Sequence, residues 1–152
     1  MNQLSQYCAD AIKPFEGFRK KPYSNFKDEP LTIGYGSTHY CDGSPISSTD
    51  EVDEAKANSM LMCFLRSNIQ PCFDKHITQE LTQNQIDALG CLVYNIGTGN
   101  FVKSSLLTIV NKDPNSPDVA DHWACWDKVN GVQVVGLFNR RKKEIEMYFY
   151  NE

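Results

Sequence analysis

Apolar residues recur at helical spacing along most of this chain, but between Phe18 and Pro45 that period gives way to short runs rich in Gly, Asp, Asn and aromatic residues. The interruption confines any sheet to one small region and predicts short antiparallel strands joined by polar turns. Helices must supply the rest of the core. The fold class that follows is α+β, with a small sheet-bearing lobe set against a larger helical one.

The helices have readable ends. Leu4, Cys8, Ala11, Ile12 and Phe15 share one face and predict a first helix over residues 3 to 16, with Pro14 in its last turn and Gly17 as its exit. Ser48-Thr49-Asp50-Glu51 has the form of a capping box and predicts a long connecting helix over about 49 to 68. Thr82 and Gln85 form a second capping box, with a staple between Leu81 and Ile86, opening a helix that buries Ile86, Leu89, Val93 and Ile96 and stops at Gly97. Ser104 or Ser105 caps a short helix through Val110, Ser116-Pro117 opens one carrying Trp123 and Trp126, and a last helix runs from about Leu137 to Phe149. The expected organisation is one domain over 1–152. Its sheet-bearing lobe covers about 16–48, the connecting helix about 49–68, and a helical lobe about 72–150 packs with the N-terminal helix.

A length of 152 residues allows one substantial core. The net charge of -4, with the basic run Arg140 to Lys143 followed closely by Glu144 and Glu146, argues against nucleic acid as a partner. No run approaches the roughly 18 apolar residues of a membrane span, so no stable membrane insertion is expected, and the N-terminus shows no export signal. Six cysteines lie scattered, and the expectation without an export signal is free thiols. Cys72 with His76 and His122 with Cys125 are only fragments of a metal site, which needs four ligands, so no metal is expected. Trp123 and Trp126 are expected to fill the core.

Chemistry is carried by a few residues. Glu16 closes the first helix, where unpaired carbonyls disfavour an anion, and Phe15 and Phe18 flank it, which suits a proton donor. The same position also suits a solvated glutamate at a frayed helix end. In Leu31-Thr32-Ile33-Gly34-Tyr35-Gly36, period two puts Leu31, Ile33 and Tyr35 on one face and Thr32, Gly34 and Gly36 on the other. That bare second face would let an extended ligand approach the backbone beside the Thr32 hydroxyl, although threonine and glycine also serve ordinary strands and bulges. Asn25, Asp28 and Glu29 lie between, either as turn residues or as a source of the second carboxylate that glycosidic hydrolysis requires.

Phe15-Glu16-Gly17-Phe18-Arg19, Pro22-Tyr23 and Thr32-Ile33-Gly34-Tyr35-Gly36 resemble the catalytic segment of the phage-type lysozymes, or endolysins. The resemblance continues in order through Asn84 to Leu89, Tyr94-Asn95-Ile96-Gly97, Asn100-Phe101, Ser104 to Leu107, Trp126 and Gly136 to Arg141. It implies a lysozyme-like fold that cleaves, by inversion and without a cofactor, the β-1,4 bond from N-acetylmuramic acid to N-acetylglucosamine in peptidoglycan. Glu16 would be the general acid and Thr32 would position the attacking water. Arg140 would hold Glu16, with Arg141 as the neighbouring alternative, and Tyr35, Gly34, Gly36 and Phe101 would line the sugar site.

The family spacing from Glu16 places the expected aspartate at Asn25, and Thr32 falls one residue late, as after an insertion. Asn25 can orient water but cannot take its proton. Asp28, in the lengthened loop, is the candidate replacement base. Ser37 stands where many relatives have histidine, and no role passes to His39. The resemblance further implies a monomer made in the host cytoplasm and released to the cell wall through a holin. The substituted aspartate leaves two other readings open: a lysozyme-like protein that binds glycan without turnover, and an interaction protein on the same fold.

Overall fold

The computed structural model describes residues 2–24 and 26–151. Helix α1 (Gln6–Glu16) starts later than its apolar spacing predicts, because Ser5 is its cap. The Ser5 hydroxyl accepts from the Tyr7 amide and donates to Asp87, and the Ser5 amide donates to the same carboxylate at 2.9 Å. These bonds satisfy amides that a helix start leaves open and tie α1 to α4 (Gln83–Ile96). Cys8, Ala9 and Ile12 are fully buried, and a Cβ on Gly90 of α4 would collide with Leu4 and lie 2.7 Å from Cys8 Sγ. Glycine at this crossing lets the backbones close up.

Strands β1 (Arg19–Tyr23) and β2 (Thr32–Gly34) pair antiparallel, Arg19 opposite Gly34 and Tyr23 opposite Thr32, with a bulge between. β2 ends sooner than the alternation implies. Gly34 (φ +65°) and Gly36 (φ +88°) adopt backbone that glycine favours, and the chain turns back so that Ile33 bridges Ser37. The predicted two-faced strand therefore does not persist beyond Gly34.

The connecting helix begins with α2 (Glu54–Phe64), not at Ser48. Tertiary contacts recruit the residues of the expected capping box. Asp50 accepts from the Ser47 amide and the Tyr40 hydroxyl, Glu51 faces Lys20 and Lys21, and the Val52 amide donates to Lys20 of β1. Asp53 caps instead, accepting from the Lys56 amide at 2.7 Å. The helix then continues through a π-helical turn (Leu65–Ile69) into α3 (Gln70–His76). Pro71 cannot donate to Ser67, four residues back, and the wider turn ahead of it accommodates that lost bond.

The helical lobe is completed by α5 (Thr98–Val102), α6 (Ser105–Lys112), α7 (Asp118–Ala124), a two-residue ribbon β3 (Lys128–Val129) and β4 (Val132–Gln133), and α8 (Val135–Tyr148). The capping box of α4 forms as read, and Ser104 caps α6. Trp123 is fully buried against Tyr148. Trp126 falls just beyond α7 and packs half-buried on the core. The architecture is a small antiparallel lobe joined by a long helix to a larger helical lobe.

The expectation of six free thiols is corrected at two positions. Cys41, in the loop after the hairpin, is bonded to Cys63 on α2, closing 22 residues of sequence. Cys8, Cys72, Cys91 and Cys125 are free. Scattered cysteines carry no pairing information until the fold brings two together. Replacing both half-cystines with serine is expected to cost about 3 kcal/mol by relaxing the unfolded chain. Thermal unfolding with and without reductant checks this, and equal midpoints would show that the bond adds nothing.

Candidate active site

Glu16 is the last residue of α1, and Gly17 (φ +70°) turns the chain away while its amide closes the helix on Lys13. The Glu16 side chain is 24% exposed and Arg140 Nη1 donates to its Oε1 at 3.1 Å. Arg140, on α8, is nearly buried. Its Nε donates to Glu144 at 3.1 Å, its Nη2 donates to the Cys91 carbonyl at 3.0 Å, and its guanidinium lies 4.8 Å from the centre of the Phe15 ring.

A second layer holds Glu144. It accepts from Trp123 Nε1 and Arg141 Nη2, and Arg141 Nε lies 2.7 Å away as a close ion pair without hydrogen-bond alignment. Arg141 also donates to the Trp126 carbonyl and to Asn95. Burial works against the charge of both arginines. At Arg140 the Cys91, Glu144 and Glu16 groups outweigh it and hold the guanidinium proton more tightly than usual, whereas at Arg141 burial prevails and the shift is downward. Arg140 therefore meets Glu16, and Arg141 braces Glu144. Arg140, Arg141 and Glu144 are all buried.

The opposite side of the carboxyl is formed by the hairpin turn. A Cβ on Gly36 would lie 3.0 Å from Glu16 Oε2 and 3.3 Å from the Tyr94 hydroxyl, so only glycine leaves this space open. Tyr94 donates to the Tyr35 carbonyl at 2.8 Å. Burial, followed by the Glu16 charge, pushes its phenol well up, and Tyr94 stays a neutral donor. Beside these groups runs a groove of 520 Å³ whose walls include Ser37, Thr38, Tyr40, Phe64, Asn68 and Asn95.

The other expected residues are distributed unevenly. Thr32 is half-buried at the start of β2 opposite Tyr23, outside the set that lines this groove. Asp28 is exposed in the turn closed by the Glu29 amide on the Phe26 carbonyl, and Asn25 lies outside the described residues. Gly34 is corrected from a ligand-facing to a packing position, since its missing Cβ would lie 3.0 Å from that of Ala57 on α2. Phe101 is likewise a core residue, fully buried against Phe73. Tyr35 packs its ring on Phe18 and is only 7% exposed, so its carbonyl rather than its ring reaches the site. Among the described residues no three His, Cys, Asp or Glu side chains come together as a metal site.

Sequence reasoning missed Glu144 and Phe64. Four-residue spacing from Arg140 on one helix was the available signal for Glu144. Phe64 had none, because a lone aromatic on an amphipathic helix reads as core.

A carboxyl held by a buried arginine at the mouth of a groove between a sheet lobe and a helical lobe is an arrangement of the lysozyme-like class. A profile of the phage lysozyme family matches residues 13–144, and the chain belongs to that family. It is 37% identical over 150 residues to an endolysin of Bacillus phage PZA, covering 96% of this chain and 55% of that protein. It is 32% identical to an endolysin of Salmonella phage P22, covering 97% of this chain and 99% of that one. The muramidase domain of SpmX from Asticaccaulis excentricus superposes with a TM-score of 0.85 at 28% identity, covering 99% of this chain and 100% of that one. The chain spans about half the length of the Bacillus phage relatives it matches.

Proposed function

We propose that this protein is a muramidase of the endolysin type, hydrolysing the β-1,4 bond between N-acetylmuramic acid and N-acetylglucosamine in peptidoglycan. The observation that carries the reading is the Glu16 carboxyl, pinned through Oε1 by Arg140 while Oε2 faces the side-chain-free surface of Gly36. A proton on Oε2 is placed to pass to a glycosidic oxygen. The carboxylate left behind is already paired with a preorganised cation, so charge is stabilised as it develops.

Inversion requires water on the far face of the sugar and a second group roughly 6.5–9.5 Å from the acid to take its proton. In this reading the Thr32 hydroxyl and Asn25 orient that water, and Asp28, on its exposed turn, supplies the base. Asp28→Ala is expected to lower lysis roughly a hundredfold to ten-thousandfold with unchanged thermal unfolding. Turnover close to the parent's would remove Asp28 from the mechanism.

The overall reading is tested by incubating purified protein with peptidoglycan and resolving the anomers of the released reducing ends. Early appearance of the α anomer is expected; a β anomer contradicts inversion. Asn25 at the expected aspartate favours one second reading, a groove that retains glycan without turnover, for which the same protein would bind peptidoglycan fragments and release nothing. Among the described residues no helix is long and apolar enough to cross a membrane. Family membership supports synthesis in the host cytoplasm, action on the wall after release through a holin, and function as a monomer.

A further inference from the structure

The groove beside Glu16 contains an aromatic side chain that the acid–base chemistry does not use. Phe64 is 43% exposed, yet it stands on the groove wall with its ring edge-on to Tyr94, centres 5.5 Å apart and planes at 89°. Tyr94 is itself fixed to the Tyr35 carbonyl and lies next to Glu16. A rigid apolar surface is thus held at a set offset from the proton donor.

Its neighbours share one helical face, and those one turn on, Ser67 and Asn68, are polar. Met60, Cys63, Phe64, Ser67 and Asn68 all line the groove, at the three- and four-residue spacing of a single stripe. Asn68 Nδ2 reaches the Phe64 carbonyl only at 3.5 Å, a weak bond that leaves an exposed carboxamide with donors and acceptor available. The Cys41–Cys63 bond ties the facing loop to α2 one residue before Phe64, which fixes the width of the groove here.

We propose that Phe64, with Ser67 and Asn68 one turn on, is a recognition platform for an N-acetylhexosamine unit away from the cleaved bond, setting the affinity and register of the glycan. A pyranose presents an apolar C–H face that packs on an aromatic ring, and its acetamido group offers one donor and one acceptor that a carboxamide matches. The inference rests on the glycosidase reading and names the residues that select the substrate of that same site.

The test separates binding from turnover. In the E16Q background, calorimetric titration with the tetrasaccharide of N-acetylglucosamine is expected to weaken about tenfold on Phe64→Ala and to recover with Phe64→Trp. In the otherwise unaltered protein, Phe64→Ala is expected to raise KM on peptidoglycan about tenfold while kcat falls by less than about threefold, with thermal unfolding unmoved. Equal affinity of E16Q with and without Phe64, no sugar binding by E16Q, or a loss confined to kcat would each overturn the platform. Absence of cleavage by the parent would remove the glycosidase reading alone, since the titration still decides whether Phe64 holds the sugar.

Discussion

Glu16→Gln is expected to lose roughly two to four orders of magnitude in peptidoglycan cleavage while remaining folded and still binding glycan. The substitution is nearly isosteric, and the carboxamide oxygen still accepts from Arg140 Nη1, so the contact that orients the side chain survives. What disappears is the proton. A carboxamide cannot give one to a leaving oxygen, and the neighbouring Tyr94 does not replace it, since it donates to the Tyr35 carbonyl and has its phenol pushed well up. Because Glu16 is partly exposed, its exchange is expected to change unfolding free energy by no more than ~1 kcal/mol. Single-turnover cleavage measured beside chemical unfolding checks both halves, and a variant that cleaves at the parental rate would show that the acid lies elsewhere.

How much of this was legible in the sequence depended on how local the determinant was. The α4 capping box involves groups three residues apart and formed as read; the Ser48 box has the same signature and failed, since Asp50, Glu51 and Val52 are engaged by Tyr40 and the β1 lysines. The same contrast separates the two strand glycines. Gly36 faces the acid, but Gly34, two residues earlier, backs onto Ala57, because positive φ at both breaks the alternation that would have put them on one face. Phe101 was misplaced for a related reason. Its place beside Asn100 in a family-like segment suggested the sugar site, whereas the fold packs its ring against Phe73. The choice between Arg140 and Arg141 turned on one residue of helical phase, about 100° of rotation, which spacing alone does not resolve.

That phase has the largest structural consequence in the molecule. Arg140→Ala is expected to destabilise the fold by roughly 3–5 kcal/mol, as removal of one member of a buried ion cluster leaves negative charge under-compensated. Arg140 donates in three directions, to Glu16, Glu144 and the Cys91 carbonyl, and water entering the space of a guanidinium that is only 5% exposed would bring no positive charge to replace it. Glu144 would keep Arg141, but with one cation where two now face it. Arg140→Lys is expected to recover only part of the loss, because a single ammonium on a flexible stem cannot reproduce a planar fork spanning three acceptors. Coupling gives the sharper reading: Arg140→Ala with Glu144→Gln is expected to cost less than the sum of the two single changes, since the second removes the anion stranded by the first. Urea unfolding of the four proteins measures this directly. Strict additivity, or an Arg140→Ala loss below about 1 kcal/mol, would mean that the cluster orients Glu16 without stabilising the fold, and that stability resides in the apolar contact of α4 with α1 and α8.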